Sequence, residues 1–125
     1  MIHSCIRVLD LEKSERFYQQ AFGFEVARRL EFPEQRFNLS YLREPGGAFE
    51  LELTFNYDQK EPYDMGNGYS HLAVAVEDLE ESHRRHQELG FEPKPLKGLA
   101  GGPPRFYFLA DPDGYWVEVV RSSAR

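Results

Sequence analysis

A single cysteine, Cys5, stands in 125 residues. That excludes an internal disulfide and fits a reducing compartment. No apolar run approaches the ~20 residues a membrane span needs. The opening MIHSCIRV has neither the basic start nor the apolar stretch of a secretory signal, so a cytoplasmic protein without a membrane partner is expected. Positive charge is also scarce. A formal net charge of −6 argues against a nucleic-acid partner, which would be held through phosphate neutralisation. The one basic cluster, HRRH at 83–86, reads as a solvated helix face. The glycine-rich KGLAGGPP at 97–104 lacks the Gly-Lys-Ser/Thr ending of a phosphate loop, and no helix is expected after it. It reads instead as a mobile, substrate-covering loop.

What is present is the composition of one globular domain, with 41% hydrophobic and 14% aromatic residues. Its length suffices to bury roughly two thirds of the unfolded surface. The chain is also repetitive. Residues 2–25, IHSCIRVLDLEKSERFYQQAFGFE, are echoed by 68–92, GYSHLAVAVEDLEESHRRHQELGFE. In both, a histidine precedes valine by five residues (His3 and Val8, His71 and Val76), an Asp-Leu-Glu follows, and Gly-Phe-Glu closes the segment. A repeat of this length is a duplicated structural unit.

The first copy alternates as a strand over 2–8, with His3, Cys5 and Arg7 on the face opposite Ile2, Ser4, Ile6 and Val8. Asp10 is an N-cap, Leu11–Phe22 a helix and Gly23 its stop. Strands follow near 24–30, 37–42 and 49–56. The second copy predicts a strand over 70–76, then a helix over 79–89 capped by Asp78, with Glu81 completing a capping box and Gly90 as the stop. Further strands are expected at 91–95, 106–110 and 115–121, the last two joined by the Asp111–Gly114 turn. Each copy is therefore β-α-β-β-β. The fold class is α+β: one domain, 1–125, made of modules 1–57 and 68–122 joined by the polar loop 57–67.

The chemistry lies at matched positions of the copies. His3 and His71 head the first strands, and Glu52 and Glu118 sit in the last. The separations are 49 residues (3 to 52) and 47 residues (71 to 118). Strand parity puts Glu52 opposite the apolar Leu51/Leu53 face, as His3 lies opposite Ile2/Ser4. Two imidazoles and two carboxylates around one point form a mixed nitrogen and oxygen set suited to Ni²⁺, Co²⁺, Zn²⁺ or Fe²⁺. Such an ion polarises a carbonyl, and a carboxylate beside it serves as a base.

His3 in IHSCIRV, Glu52 in LELTFN, His71 in GYSHLAVAV and Glu118 in DPDGYWVEVV together resemble glyoxalase I (lactoylglutathione lyase), of the vicinal oxygen chelate superfamily. The resemblance runs over almost the whole chain. It implies paired βαβββ modules forming curved mixed sheets in a homodimer. The metal ligands would be His3 and Glu52 of one subunit with His71 and Glu118 of the other. It implies a lyase that isomerises the methylglyoxal–glutathione hemithioacetal to S-lactoylglutathione through an enediolate, as methylglyoxal detoxification. Glu118 is the expected base, with Glu52 as the second catalytic carboxylate. Arg7 and Asn56 match positions that hold the γ-glutamyl end of the thiol. The compact form favours nickel, with cobalt or zinc possible. Ala100 and Asn67 stand where relatives carry basic residues, with Lys97 and Arg105 nearby to replace them. Alternatives of the same fold are an acyl-CoA epimerase, an extradiol dioxygenase and a non-catalytic binding or resistance protein.

Overall fold

A computed structural model describes residues 1–124. The chain divides into two compact units, Met1–Asp64 and Met65–Arg125. In the first, β1 (His3–Val8), α1 (Leu11–Phe22), β2 (Glu25–Phe32), β3 (Phe37–Arg43) and β4 (Glu50–Asn56) follow in order. Its four-stranded sheet runs β1-β4-β3-β2, with β1 parallel to β4 and the other pairs antiparallel. The second holds β5 (His71–Val76), α2 (Leu79–Glu88), β6 (Phe106–Ala110) and β7 (Trp116–Arg121), in a sheet ordered β5-β7-β6. Again the first strand is parallel to the last, and β6 is antiparallel to β7. The α+β class and the duplicated plan are borne out. Among the described residues, no helix is long and apolar enough to cross a membrane.

The caps explain the helix boundaries. Asp10 accepts the Lys13 N–H at 3.1 Å, and Gly23 ends α1 at φ 70°, a left-handed conformation that glycine adopts without strain. Asp78 does the same for α2 by accepting the Glu81 N–H at 3.0 Å, while the Glu81 carboxylate pairs with Arg84. Replacing Asp10 by Ala leaves that donor without its side-chain partner. It should lower stability by about 1 kcal/mol, read as a lower urea midpoint at unchanged slope.

Each unit buries the face of its sheet that the helix covers. In the first, Ile6, Val8, Leu42, Leu51 and Leu53 lie beneath Phe17, Tyr18 and Ala21 of α1. Glu15 of α1 is also buried there, and two partners make this tolerable. Arg29 grips it in a fork at 2.8 and 3.1 Å, and the Ser40 hydroxyl donates at 2.5 Å. In the second unit Val117, Val119, Leu109 and Tyr107 lie under Leu79 and His86.

Two expectations need correction here. The HRRH segment is not a solvated face throughout. His86 is fully buried with its Nδ1 at 2.7 Å from the Tyr107 hydroxyl, and His83 Nε2 lies 2.9 Å from the Lys94 carbonyl oxygen. The strand expected at 91–95 is not a strand either. Pro93 and Pro95 have no N–H to give, so this extended stretch offers only the Lys94 N–H to the Phe108 carbonyl, at 2.9 Å, before an isolated bridge from Lys97 to Phe106. The loop that follows folds back tightly at Gly98, where a Cβ would come within 2.3 Å of the Pro103 carbonyl oxygen.

Candidate metal and active site

On the face of each sheet away from its helix, the two modules build the same small arrangement. In the first, β1 lies beside β4 with Cys5 level with Glu52 and His3 level with Glu50. Neighbours in a parallel pair point to the same side, so His3, Cys5, Arg7, Glu50, Glu52, Thr54 and Asn56 share one face. The diagonal from β1 to β4 brings His3 Nε2 to 3.2 Å from Glu52 Oε2. In the second module Ala73 is level with Glu118 and His71 with Trp116, and the same diagonal sets His71 Nε2 at 3.5 Å from Glu118 Oε1. Matching sequence positions have become matching geometry, because parallel pairing of first and last strands occurs in both copies.

Each pair is partly open to solvent, with side-chain exposures of 35% for His3 and 13% for Glu52, and 31% and 22% for His71 and Glu118. Both imidazoles present Nε2 to the carboxylate. His71 Nδ1 lies 2.6 Å from the Ser70 hydroxyl, which fixes the ring. Such a partner on the far nitrogen is the usual support of a metal-ligating histidine. One imidazole nitrogen and one carboxylate per module is a mixed set that borderline divalent ions accept. Among the described residues no three His, Cys, Asp or Glu side chains gather so as to hold a metal ion, and each module brings together one His–Glu pair. Cys5 is turned to other partners. Its Sγ lies 3.3 Å from the Thr54 hydroxyl, and burial pushes the thiol up from its ordinary pKa.

The surroundings of the pairs differ. Beside His71 and Glu118 opens a cleft of about 380 Å³, walled by Phe106, Phe108 and Trp116 and rimmed by Lys94 and Lys97. Phe108 meets His71 edge-on at 5.2 Å, and the Lys94 ammonium sits over the Trp116 ring at 5.6 Å. The sequence reading missed this cleft, because aromatic residues in a strand read as core until the pairing is known. Arg7 lies level with Thr54 on the face of Glu52, and Asn56 lies on that face further along β4. The Asn56 amide donates to the Tyr63 hydroxyl at 3.2 Å.

The comparisons with known proteins agree with this geometry. The Glyoxalase/Bleomycin resistance protein/Dioxygenase superfamily matches residues 1–119. A lactoylglutathione lyase of Neisseria meningitidis serogroup A is 38% identical, over 99% of this chain and 91% of that protein. A probable lactoylglutathione lyase of Synechocystis is 34% identical, over 100% of this chain and 97% of that one. Among solved structures, the trypanothione-dependent glyoxalase I of Leishmania major superposes with a TM-score of 0.89 at 30% identity, covering 99% of this chain and 87% of its own. The chain belongs to the Glyoxalase/Bleomycin resistance protein/Dioxygenase superfamily, in the branch of the glyoxalase I lyases.

Proposed function

We propose that the protein isomerises the hemithioacetal of methylglyoxal and glutathione to S-lactoylglutathione, and so removes methylglyoxal in the cytoplasm. The observation that carries this reading is the duplicated His–Glu diagonal, 3.2 Å in one module and 3.5 Å in the other. Two ligands are too few for a stable divalent site, and four make an open octahedral one with room for two waters. His3 and Glu52 of one subunit of a homodimer would join His71 and Glu118 of the other, holding Ni²⁺ by preference, or Co²⁺ or Zn²⁺. Bound there, the ion supplies Lewis-acid polarisation of the substrate's oxygens.

The protein's own side chains move the protons. Glu118, level in the sheet with the cleft residue Phe108, takes the hydrogen on C1 as a proton. The same proton is returned to C2, while the hydroxyl proton passes from the first oxygen to the second, so the net change is an isomerisation. Glu52 is the second catalytic carboxylate, placed to serve the opposite enantiomer of the adduct. Phe108 and Trp116 keep water from the reacting carbons, which strengthens each charge interaction nearby.

Arg7 suits a carboxylate of the thiol's γ-glutamyl end as a two-pronged donor, and Asn56 lies on the same face. Lys94 and Lys97 bring positive charge to the cleft rim, and Ala100 and Asn67 carry no charge. The double variant Lys94→Gln/Lys97→Gln should therefore raise KM for the glutathione adduct by up to about thirtyfold with kcat unchanged. Two exposed ion pairs are worth up to ~1 kcal/mol each. Steady-state kinetics at low and high salt check this, since the difference should shrink at high salt.

The decisive assay uses metal-stripped protein re-supplied with Ni²⁺, Co²⁺ or Zn²⁺ in turn and given methylglyoxal with glutathione. Isomerase activity that depends on the added ion supports the reading. No activity with any ion, from protein that binds them, would return the chain to the epimerase, dioxygenase or binding-protein alternatives. Trypanothione belongs in the same assay as a second thiol, since the Leishmania relative depends on it.

A further inference from the structure

The cleft beside His71 and Glu118 holds a nucleophile that the isomerisation leaves unused. The chain has four lysines, Lys13, Lys60, Lys94 and Lys97, and all four are exposed. Their surroundings set them apart. Lys13 lies on α1, and Lys60 follows β4, where its ammonium donates to the Tyr57 carbonyl oxygen at 3.0 Å. Lys94 and Lys97 line the cleft of about 380 Å³.

Lys94 is the one held toward the reacting groups. Its backbone is fixed on both sides, since its N–H donates to the Phe108 carbonyl at 2.9 Å and its own carbonyl oxygen lies 2.9 Å from His83 Nε2. From this anchor the ammonium reaches over the Trp116 ring, 5.6 Å from its centre. Trp116 is level with His71 across the parallel pair, and it precedes Glu118 by two residues on the same face of β7. The amine therefore stands over a residue that adjoins both the histidine and the glutamate.

We infer that Lys94 is a modification site, acylated by the thioester formed in its own cleft, and that the modified protein binds the next substrate less tightly. This rests on the isomerase reading above, whose product, S-lactoylglutathione, is a thioester and hence an acyl donor to amines. The Lys94 ammonium first gives a proton to water, and the Nζ lone pair adds to the thioester carbonyl carbon. The carbon–sulfur bond then breaks, glutathione leaves as its thiolate, and that thiolate recovers one proton from the new amide nitrogen. Lys94 keeps an Nε-lactoyl amide, nothing is oxidised or reduced, and no further reactant is consumed. The amide is neutral, so the cleft rim loses one positive charge and Trp116 loses its cation.

The test gives synthetic S-lactoylglutathione to the Ni²⁺-loaded protein and follows the gain of a lactoyl group at each lysine by peptide mass spectrometry. Lys94 is expected to acquire it at least about tenfold faster than Lys13 or Lys60, a small part of what proximity gives an intramolecular reaction. S-Methylglutathione, a thioether with no acyl group to give, should compete for the cleft. It is expected to slow labelling at Lys94 and leave Lys13 and Lys60 unchanged. Labelling of Lys94 at the rate of those two, or labelling that the thioether does not slow, overturns the inference. Protein lactoylated at Lys94 should match Lys94→Gln, with KM for the adduct raised up to about fivefold, the share of one exposed ion pair. A KM equal to that of unmodified protein overturns the effect on binding. The ready-made thioester makes labelling independent of turnover, so the two readings fail in different assays. If isomerase activity is absent with every metal ion, the thioester is not this protein's product, and the inference falls with that reading whatever the labelling shows.

Discussion

Replacing Glu118 by Gln is expected to lower kcat for the methylglyoxal–glutathione adduct by about 10²- to 10⁴-fold. The amide keeps the shape and one oxygen of the carboxylate, and it cannot accept a proton. General-base contributions of that size correspond to roughly 3–5.5 kcal/mol of the activation barrier. KM should change far less, since the proposed grip on the substrate's thiol part lies elsewhere, at Arg7, Lys94 and Lys97. The fold is not at risk. Glu118 lies on the open face of its sheet, with its side chain 22% exposed, and the core beneath is made by Val117 and Val119 on the opposite face. Circular dichroism and melting of the variant should match the parent, and kinetics carry the test. Wild-type kcat in this variant would remove Glu118 from the mechanism.

The second large effect is expected from His71→Ala. Removing one of the four proposed ligands takes away a coordinate bond, so Ni²⁺ affinity should fall by more than the 10- to 100-fold typical of losing a supporting contact. His71 is partly exposed and its ring is held by Ser70 and Phe108 without sealing the core, so the metal-free protein should melt within about 0.5 kcal/mol of the parent. The difference lies in the response to metal. Ligand bound only to the folded state raises stability by RT ln(1 + [L]/Kd), so the parent should gain several degrees on adding Ni²⁺ and the variant much less. His3→Ala should behave alike. Equal stabilisation of parent and variants by Ni²⁺ would separate these histidines from the metal.

Much of this was legible in the sequence because local signals and the repeat agreed. Helix α1 could be bounded to the residue by Asp10 and Gly23, since both ends are set by short-range hydrogen bonds. The four His and Glu positions stood out because they recur at matched places in two copies. The 91–95 stretch was misread as a strand. Its repeat partner in module one, β2, is a full strand, and the prolines at 93 and 95 outweigh that analogy. His86 was misplaced because a charged-looking cluster hides a helix position that turns inward onto Tyr107. Phe108 and Lys94 carried no signal at all. Their relation to the glutamates exists only once strand register is known, and register is a long-range property that one sequence does not display.

The central claim is that two His–Glu pairs, one from each of two subunits, make one metal centre. Its most direct test is a mixed dimer, purified through two different tags, of a Glu52→Gln chain with a Glu118→Gln chain. Each homodimer lacks a working site. In the mixed dimer one site collects both substitutions and the other collects none, so one competent centre, about half the parent activity and one tightly bound Ni²⁺ per dimer are predicted. A mixed dimer as inactive as its two parents would contradict the account, because it would mean that each site draws both pairs from a single chain.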